Sequence, residues 1–276
     1  MFTEVIIPFD ETVASLRAVP VGAAVASRLN VGAIAVTVAP SLTTAAGMEA
    51  SAQRWIEANG LPEVKVASVV SGSPVYQALQ TRLGEGHPLI VVATATHPHS
   101  RPVVGGSVAE DLVHYSPPGY ALLVGPSVAV GSFSLDGSLM ACIDTEVDPG
   151  PFLAPMTELV TALALDPILV TVMDLAQTPM FSMGRTGQEP VPVESVALQH
   201  AAYRLASLGT SAPECVTLFG GDRVETVVDY ARISGVSALM VASRDRGGIS
   251  RLVFGSAALQ IVQNATVPVF VVHREV

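Results

Sequence analysis

The sequence predicts an α/β protein built from two tandem, doubly wound, parallel-sheet domains. Three observations carry that expectation. Short apolar runs of strand length alternate with helix-like segments along the whole chain, which is the pattern of a parallel sheet with right-handed crossovers and helices on both faces. The same features recur at matched spacing in the two halves. The repeat is about 135 residues long, far beyond solenoid length and ordinary for one domain.

The repeat is read from its ends. The first half opens on VIIPFD, an apolar run closed by Asp10, and the second on LMACID, closed by Asp144. Leu89–Val92 are apolar, and 14 residues after Ala93 comes Ser107 in GGS. Leu239–Val241 are apolar, and 14 residues after Ala242 comes Ser256 in FGS. A helix-like segment and a last apolar strand follow each time, ALLV and VPVFVV. Between the halves, Gly125–Ser138 is rich in Gly and Ser, which suits a connection between domains. The boundary is placed near 130, giving domains 1–130 and 131–276.

Element by element, strands are predicted near 4–9, 33–38, 64–70, 88–93 and 120–124 in the first half. In the second they fall near 138–143, 167–173, 214–219, 237–242 and 268–272. Helical composition covers Thr12–Leu29 and Thr44–Asn59. Ser73–Leu83 opens on Ser-Pro, an N-cap followed by Pro at the first helical position. The second half places helices over Pro151–Leu163, Pro192–Leu208, Asp222–Ser234 and Ser256–Asn264. Ligands of such sheets bind beyond the carboxyl ends of the strands, where strand order reverses. Asp10 and Asp144 end a first strand, and the loops after Ala93 and Ala242 leave a fourth, so these elements are expected to meet there.

Composition narrows the classes. Of 276 residues, 50% are hydrophobic and 14% charged, enough for a sizeable core. The net charge of −10 argues against nucleic acid as a partner, because phosphate backbones need a basic surface. Mean hydropathy is +0.51, yet no apolar run approaches the roughly 20 residues of a spanning helix. The start, MFTEVIIPFDE, lacks the basic end and long apolar stretch of a secretory signal, and a cytoplasmic, non-membrane protein is the expectation. Cys142 and Cys215 sit in strand-like segments and read as small buried hydrophobes. His97 and His99 have no third ligand nearby, so no metal site is expected. His114, His200 and His273 show no partner pattern. Ser107 and Ser256 are not in a nucleophile elbow, and no catalytic residue is assigned.

The segment Val241–Ser256, VASRDRGGISRLVFGS, carries most chemistry. A Gly-Ser pair opening a helix presents free backbone N–H groups and a hydroxyl to a phosphate. Arg244, Arg246 and Arg251 add charge-assisted contacts in that reading. In the other reading Ser256 is only an N-cap and the arginines are a solvated loop face. Ser182, Ser195, Thr43 and Thr44 are hydroxyls with nothing to set them apart as phosphate acceptors. The Met- and Pro-containing stretch Asp174–Pro190 reads as a lid or as a mobile connection, with mobility slightly favoured.

An Asp at the end of strand one, SRDRGGISRLVFGS before a helix, and a closing PVFVV strand resemble the universal stress protein family. The likeness covers nearly the whole chain and is strongest over 222–272. It implies five-stranded sheets of order 3-2-1-4-5, of the adenine nucleotide alpha hydrolase type, in a tandem form. In the family's ATP-binding branch a G-x2-G-x9-G-S/T motif lies between strand four and helix four. By position, the resemblance implies that Asp144 meets the ribose or adenine side and Val172 borders the adenine. Gly255 and Ser256, followed by Ala257, hold the phosphates. Asp10, Val38, Gly106 and Ser107 are the matching set in the first half. ATP, ADP or AMP is the implied ligand. The resemblance also implies that the last strands pair, here joining the halves as an intramolecular pseudo-dimer, with a homodimer of chains open.

Departures from the motif bear on binding. Its first glycine is Ala242 here and Ala93 in the first half; its second is Asp245 and Thr96. A Cβ at such positions hinders close approach of backbone to phosphate. Asp245 adds repulsion of about 1 kcal/mol in water, or about 4 at an effective dielectric of 20, at about 4 Å. Three readings stay open: a non-enzymatic nucleotide-binding stress protein, a diverged scaffold that has lost the nucleotide, and an enzyme on an adenylated substrate. No general base converges on the site, and the retained Gly-Ser favours binding in the second half.

Overall fold

The computed structural model describes residues 2–10, 12–73, 77–79, 86–94, 120–131, 133–145, 148–173, 193–242 and 256–272. The first half runs β1 (Glu4–Pro8), α1 (Val13–Leu29), β2 (Gly32–Ala39), α2 (Leu42–Ala58), β3 (Val64–Val70), β4 (Leu89–Ala93) and β5 (Tyr120–Val124). The second runs β6 (Ser138–Cys142), α3 (Gly150–Leu163), β7 (Asp166–Met173), α4 (Val193–Ser207), β8 (Glu214–Phe219), α5 (Arg223–Ser234), β9 (Ala238–Ala242), α6 (Ser256–Asn264) and β10 (Val269–Val272).

Local chemistry explains the helix limits. Thr12 caps α1, its hydroxyl oxygen accepting the Ser15 N–H at 3.2 Å. Asn30 ends α1 in the left-handed region at φ 54°. α2 begins two residues earlier than the sequence suggests, because Ser41 is the cap and accepts the Thr44 N–H at 3.2 Å. Thr43 and Thr44 therefore lie in its first turn. Asp222 accepts the N–H groups of Val224 and Glu225 at the start of α5, and Gly235 at φ 62° stops it. Of the helix expected at Ser73–Leu83, residues 77–79 are helical and most others lie outside the described residues.

The strands form one ten-stranded sheet of order β3-β2-β1-β4-β5-β10-β9-β6-β7-β8. Each half keeps the order 3-2-1-4-5, and every pairing within a half is parallel. The join is the antiparallel pair β5·β10, with Leu122 opposite Phe270 and Ala121 opposite Val271. Both strands are apolar and would otherwise leave bare edges, so mutual pairing covers each with the other. The two final strands thus pair as their sequences require, and the two sheets continue into one.

Alternation along the strands divides the core into two layers. Val5 and Ile7 of β1, Leu139 and Ala141 of β6, and Phe270 of β10 point to the face covered by α1, α2, α3 and α4. Ile6, Met140, Val269 and Val271 point to the other, where α5 contributes Val227 and Ala231 and α6 contributes Ala258, Ile261 and Val262. Both layers contain residues of both halves, so the core is shared across the join. The connection between the halves packs against the core at two points, where Val128 and Leu135 are buried. Arg28 of α1 donates to the Leu135 carbonyl at 3.2 Å and pairs with Asp136, while Ser237 donates to the Asp136 carbonyl.

Cys215 departs from expectation. It lies on β8, the outer edge of the sheet, and is exposed rather than buried, because no strand covers that side. Among the described residues no helix is long and apolar enough to cross a membrane.

Candidate functional site

In the second half β6 is followed by α3 on one face of the sheet, and β9 by α6 on the other. The chain therefore leaves two adjacent strands in opposite directions, and a crevice opens between their carboxyl ends. A cleft occupies this place, open to solvent at its mouth. Its floor is Cys142, Ile143 and Asp144 at the exit of β6, with Val241 and Ala242 at the end of β9. One wall is Pro149 and Phe152 at the start of α3; the other is Ala257, Ala258 and Ile261 of α6.

Among the described residues Asp144 is the one acidic side chain in this lining, and it is half-buried. The walls around it are apolar, which suits a flat ring, while a carboxylate suits hydroxyl donors such as those of a sugar. The turn beside it is fixed from α4: Arg204 donates to Asp148 at 2.7 Å, and the same carboxylate accepts the Gly150 N–H at 3.0 Å. This exposed ion pair adds little stability but orients the Pro149 wall. α6 begins at Ser256, exposed at the lip of the cleft beside Ala257. Its first N–H groups have no partners within the helix, so the lip is suited to an anion.

Burial pushes the Cys142 thiol up to about 12, so it is protonated at neutral pH and reacts only slowly, at a rate set by access to the cleft. The Cys215 thiol is also raised, by partial burial and then by the neighbouring Glu214. Among the described residues no group of three or more His, Cys, Asp or Glu side chains is placed to hold a metal ion.

Of the residues singled out in the second half, the structure brings Asp144, Ala242 and Ala257 together around the cleft. Ser256 stands next to them at the helix start. Val172 is near the end of β7, half-buried against the core, and is not part of the lining. Gly255, Asp245, Arg244, Arg246 and Arg251 lie outside the described residues, as do Ser182 and the stretch Asp174–Pro190. In the first half, Asp10 is bound up with the start of α1, accepting from the Thr12 N–H at 3.1 Å and hydroxyl at 2.6 Å. Val38 packs on the core at the end of β2. Gly106, Ser107, Thr96, His97, His99, His114 and His273 lie outside the described residues. His200 is exposed on α4.

Sequence reading missed the apolar walls. Phe152 had a signal, a lone aromatic in the first turn after the strand that ends in Asp144. Cys142 and Ile143 had one too, adjacency to that same aspartate. Ile261 had none beyond helical spacing from Ala257.

The fold is shared with known proteins. Residues 153–273 match the model of the universal stress protein family. A universal stress protein from Archaeoglobus fulgidus DSM 4304 shares the fold at a TM-score of 0.60 and 12% identity, over 99% of this chain and 98% of that one. A universal stress protein described as putative, from Pseudomonas aeruginosa UCBPP-PA14, does so at 0.59 and 12% identity, over 99% of this chain and 93% of that one. A functionally unknown protein from Pseudomonas aeruginosa PAO1 does so at 0.59 and 13%, over the same shares. No curated protein matches the chain.

Proposed function

We propose that this chain, which carries a universal stress protein domain over residues 153–273, is a non-enzymatic stress-response protein that binds an adenine nucleotide in its second half. The observation that carries the reading is the cleft at the strand-order reversal, which Asp144 lines together with Ala257 from the first turn of α6. In this reading the apolar walls take the base, Asp144 takes ribose hydroxyls, and the Gly255–Ser256 turn takes phosphate at the helix N-terminus. ATP, ADP and AMP are the candidate ligands. Residues 1–130 act as a second domain of the same kind with a degenerate motif, and 131–276 as the domain with the partly retained one. The protein works in the cytoplasm, its halves paired as an intramolecular pseudo-dimer, with two chains able to associate further.

A second reading is favoured by one feature, the Ala242 side chain in the cleft floor where the family's motif has glycine. In that reading the nucleotide is lost and the chain serves as an interaction module. Denaturing the purified full chain and separating what it releases by chromatography tests the first reading. An adenine nucleotide at a sizeable fraction of one per chain is expected. Absence of any, together with no thermal shift from added ATP, ADP or AMP, would leave the interaction module.

A further inference from the structure

α6 has nine residues, a rod of about 13 Å, and its first two turns form a wall of the cleft. Its other end meets the first half, and topology explains why. β5 and β10 run antiparallel with Leu123 opposite Val269, so the chain leaving β5 enters the corner where α6 turns into β10. Gly125 lies in that corner against the Val262 carbonyl. A Cβ there would stand 1.9 Å from the carbonyl oxygen and 3.0 Å from its carbon. Both are backbone atoms, so no side-chain rotation relieves the overlap.

Two residues on, the Ser127 hydroxyl donates to the Gln263 carbonyl at 3.0 Å, satisfying one of the carbonyls a helix leaves open at its end. The Val128 N–H closes the turn on the Gly125 carbonyl at 3.2 Å, and its side chain is buried. A turn of the connection between halves thus holds one end of the helix whose other end lines the cleft.

We infer that Gly125 and Ser127 are positioning residues that set α6 against the sheet, so that the width of the cleft in the second half depends on its seam with the first. α6 packs through Ala258, Ile261 and Val262 and shifts as a body, because a close-packed layer does not deform continuously. A displacement at Val262 therefore reaches Ala257. The consequence for nucleotide affinity rests on the function proposed above; the consequence for the cleft itself does not.

Cys142 lines the cleft and reports its width through its rate of reaction with a small thiol reagent. The measurement uses the full chain with Cys215→Ser, without nucleotide, well below each variant's melting midpoint. Gly125→Ala is expected to change the Cys142 rate about fivefold or more, and Ser127→Ala about twofold in the same direction. Gly22→Ala is the control: its Cβ meets the Ile7 side chain, far from the cleft in the chain, and its rate should equal the parent's within about 20%, well inside the twofold change expected of Ser127→Ala. ATP affinity, titrated in parallel, is expected to fall about tenfold in Gly125→Ala.

Parent-like Cys142 rates in both seam variants would overturn the inference, as would an equal change in the control. Altered rates with unaltered ATP affinity would overturn its extension to the ligand. A parent chain that binds no nucleotide, with altered variant rates, would sustain the seam and refute the nucleotide reading instead. Should Gly125→Ala not fold, Ser127→Ala decides by the same comparison.

Discussion

Phe270→Ala is expected to cost about 3–5 kcal/mol and to lower the melting of the entire chain as one transition. Phe270 is fully buried in β10, between β5 of one half and β9 of the other, opposite Leu122 and Met240. Truncation removes a large apolar side chain and leaves a cavity at the join, which the surrounding strands, hydrogen-bonded on both sides, cannot close. At roughly 2–4 °C per kcal/mol for a chain of this size class, the midpoint should fall by about 6–20 °C. A single calorimetric peak is expected before and after, because both core layers cross the join. Two peaks, of which only one moves, would mean that the halves melt independently.

Asp144→Ala is expected to weaken nucleotide binding about 10- to 100-fold, the loss of a hydrogen bond to a charged partner of about 1.5–3 kcal/mol. Among the described residues no other acidic side chain lines the cleft. Asp144→Asn keeps the shape and an acceptor oxygen, and is expected to retain part of the affinity. Titration calorimetry of both variants against the parent measures this. Equal affinities for all three would remove Asp144 from the site.

Much of this architecture is legible in the sequence, for physical reasons. Buried parallel strands must be continuous Val/Ile/Leu runs, so β1, β4, β7 and β9 stand out within a residue or two of their limits. α6 is read from Ser256 to Asn264 without error, because a Gly-Ser pair opens it and its apolar residues keep helical spacing. α2 is misjudged at its start, since Ser41 and Thr44 are both acceptable caps and only geometry chooses. Cys215 is misjudged because burial of a strand residue depends on sheet order, and nothing within ECVTLF says that its strand is an edge. Gly125 is the instructive case. Composition marks it only as part of a connection between domains, whereas its lack of a side chain also serves a close approach between backbones. Local sequence cannot reveal that, because the carbonyl it meets belongs to Val262.

For the site, the sequence marks the polar points and misses the apolar enclosure. Asp144, Ala242 and Ala257 come together because each ends or begins an element at the reversal of strand order, which the repeat pattern locates. Phe152 and Ile261 close the cleft from opposite faces, and their roles depend on helices crossing to those faces. In the first half, Asp10 resembles Asp144 in sequence, and its carboxylate accepts from the N–H and hydroxyl of Thr12, the cap of α1.

Titration calorimetry of ATP, ADP and AMP into the full chain tests the central claim most directly. A saturable heat at close to one nucleotide per chain, abolished or strongly weakened by Asp144→Ala and left intact by Asp10→Ala, is the expected result. No heat with any of the three, or a site lost with Asp10 and indifferent to Asp144, would contradict it.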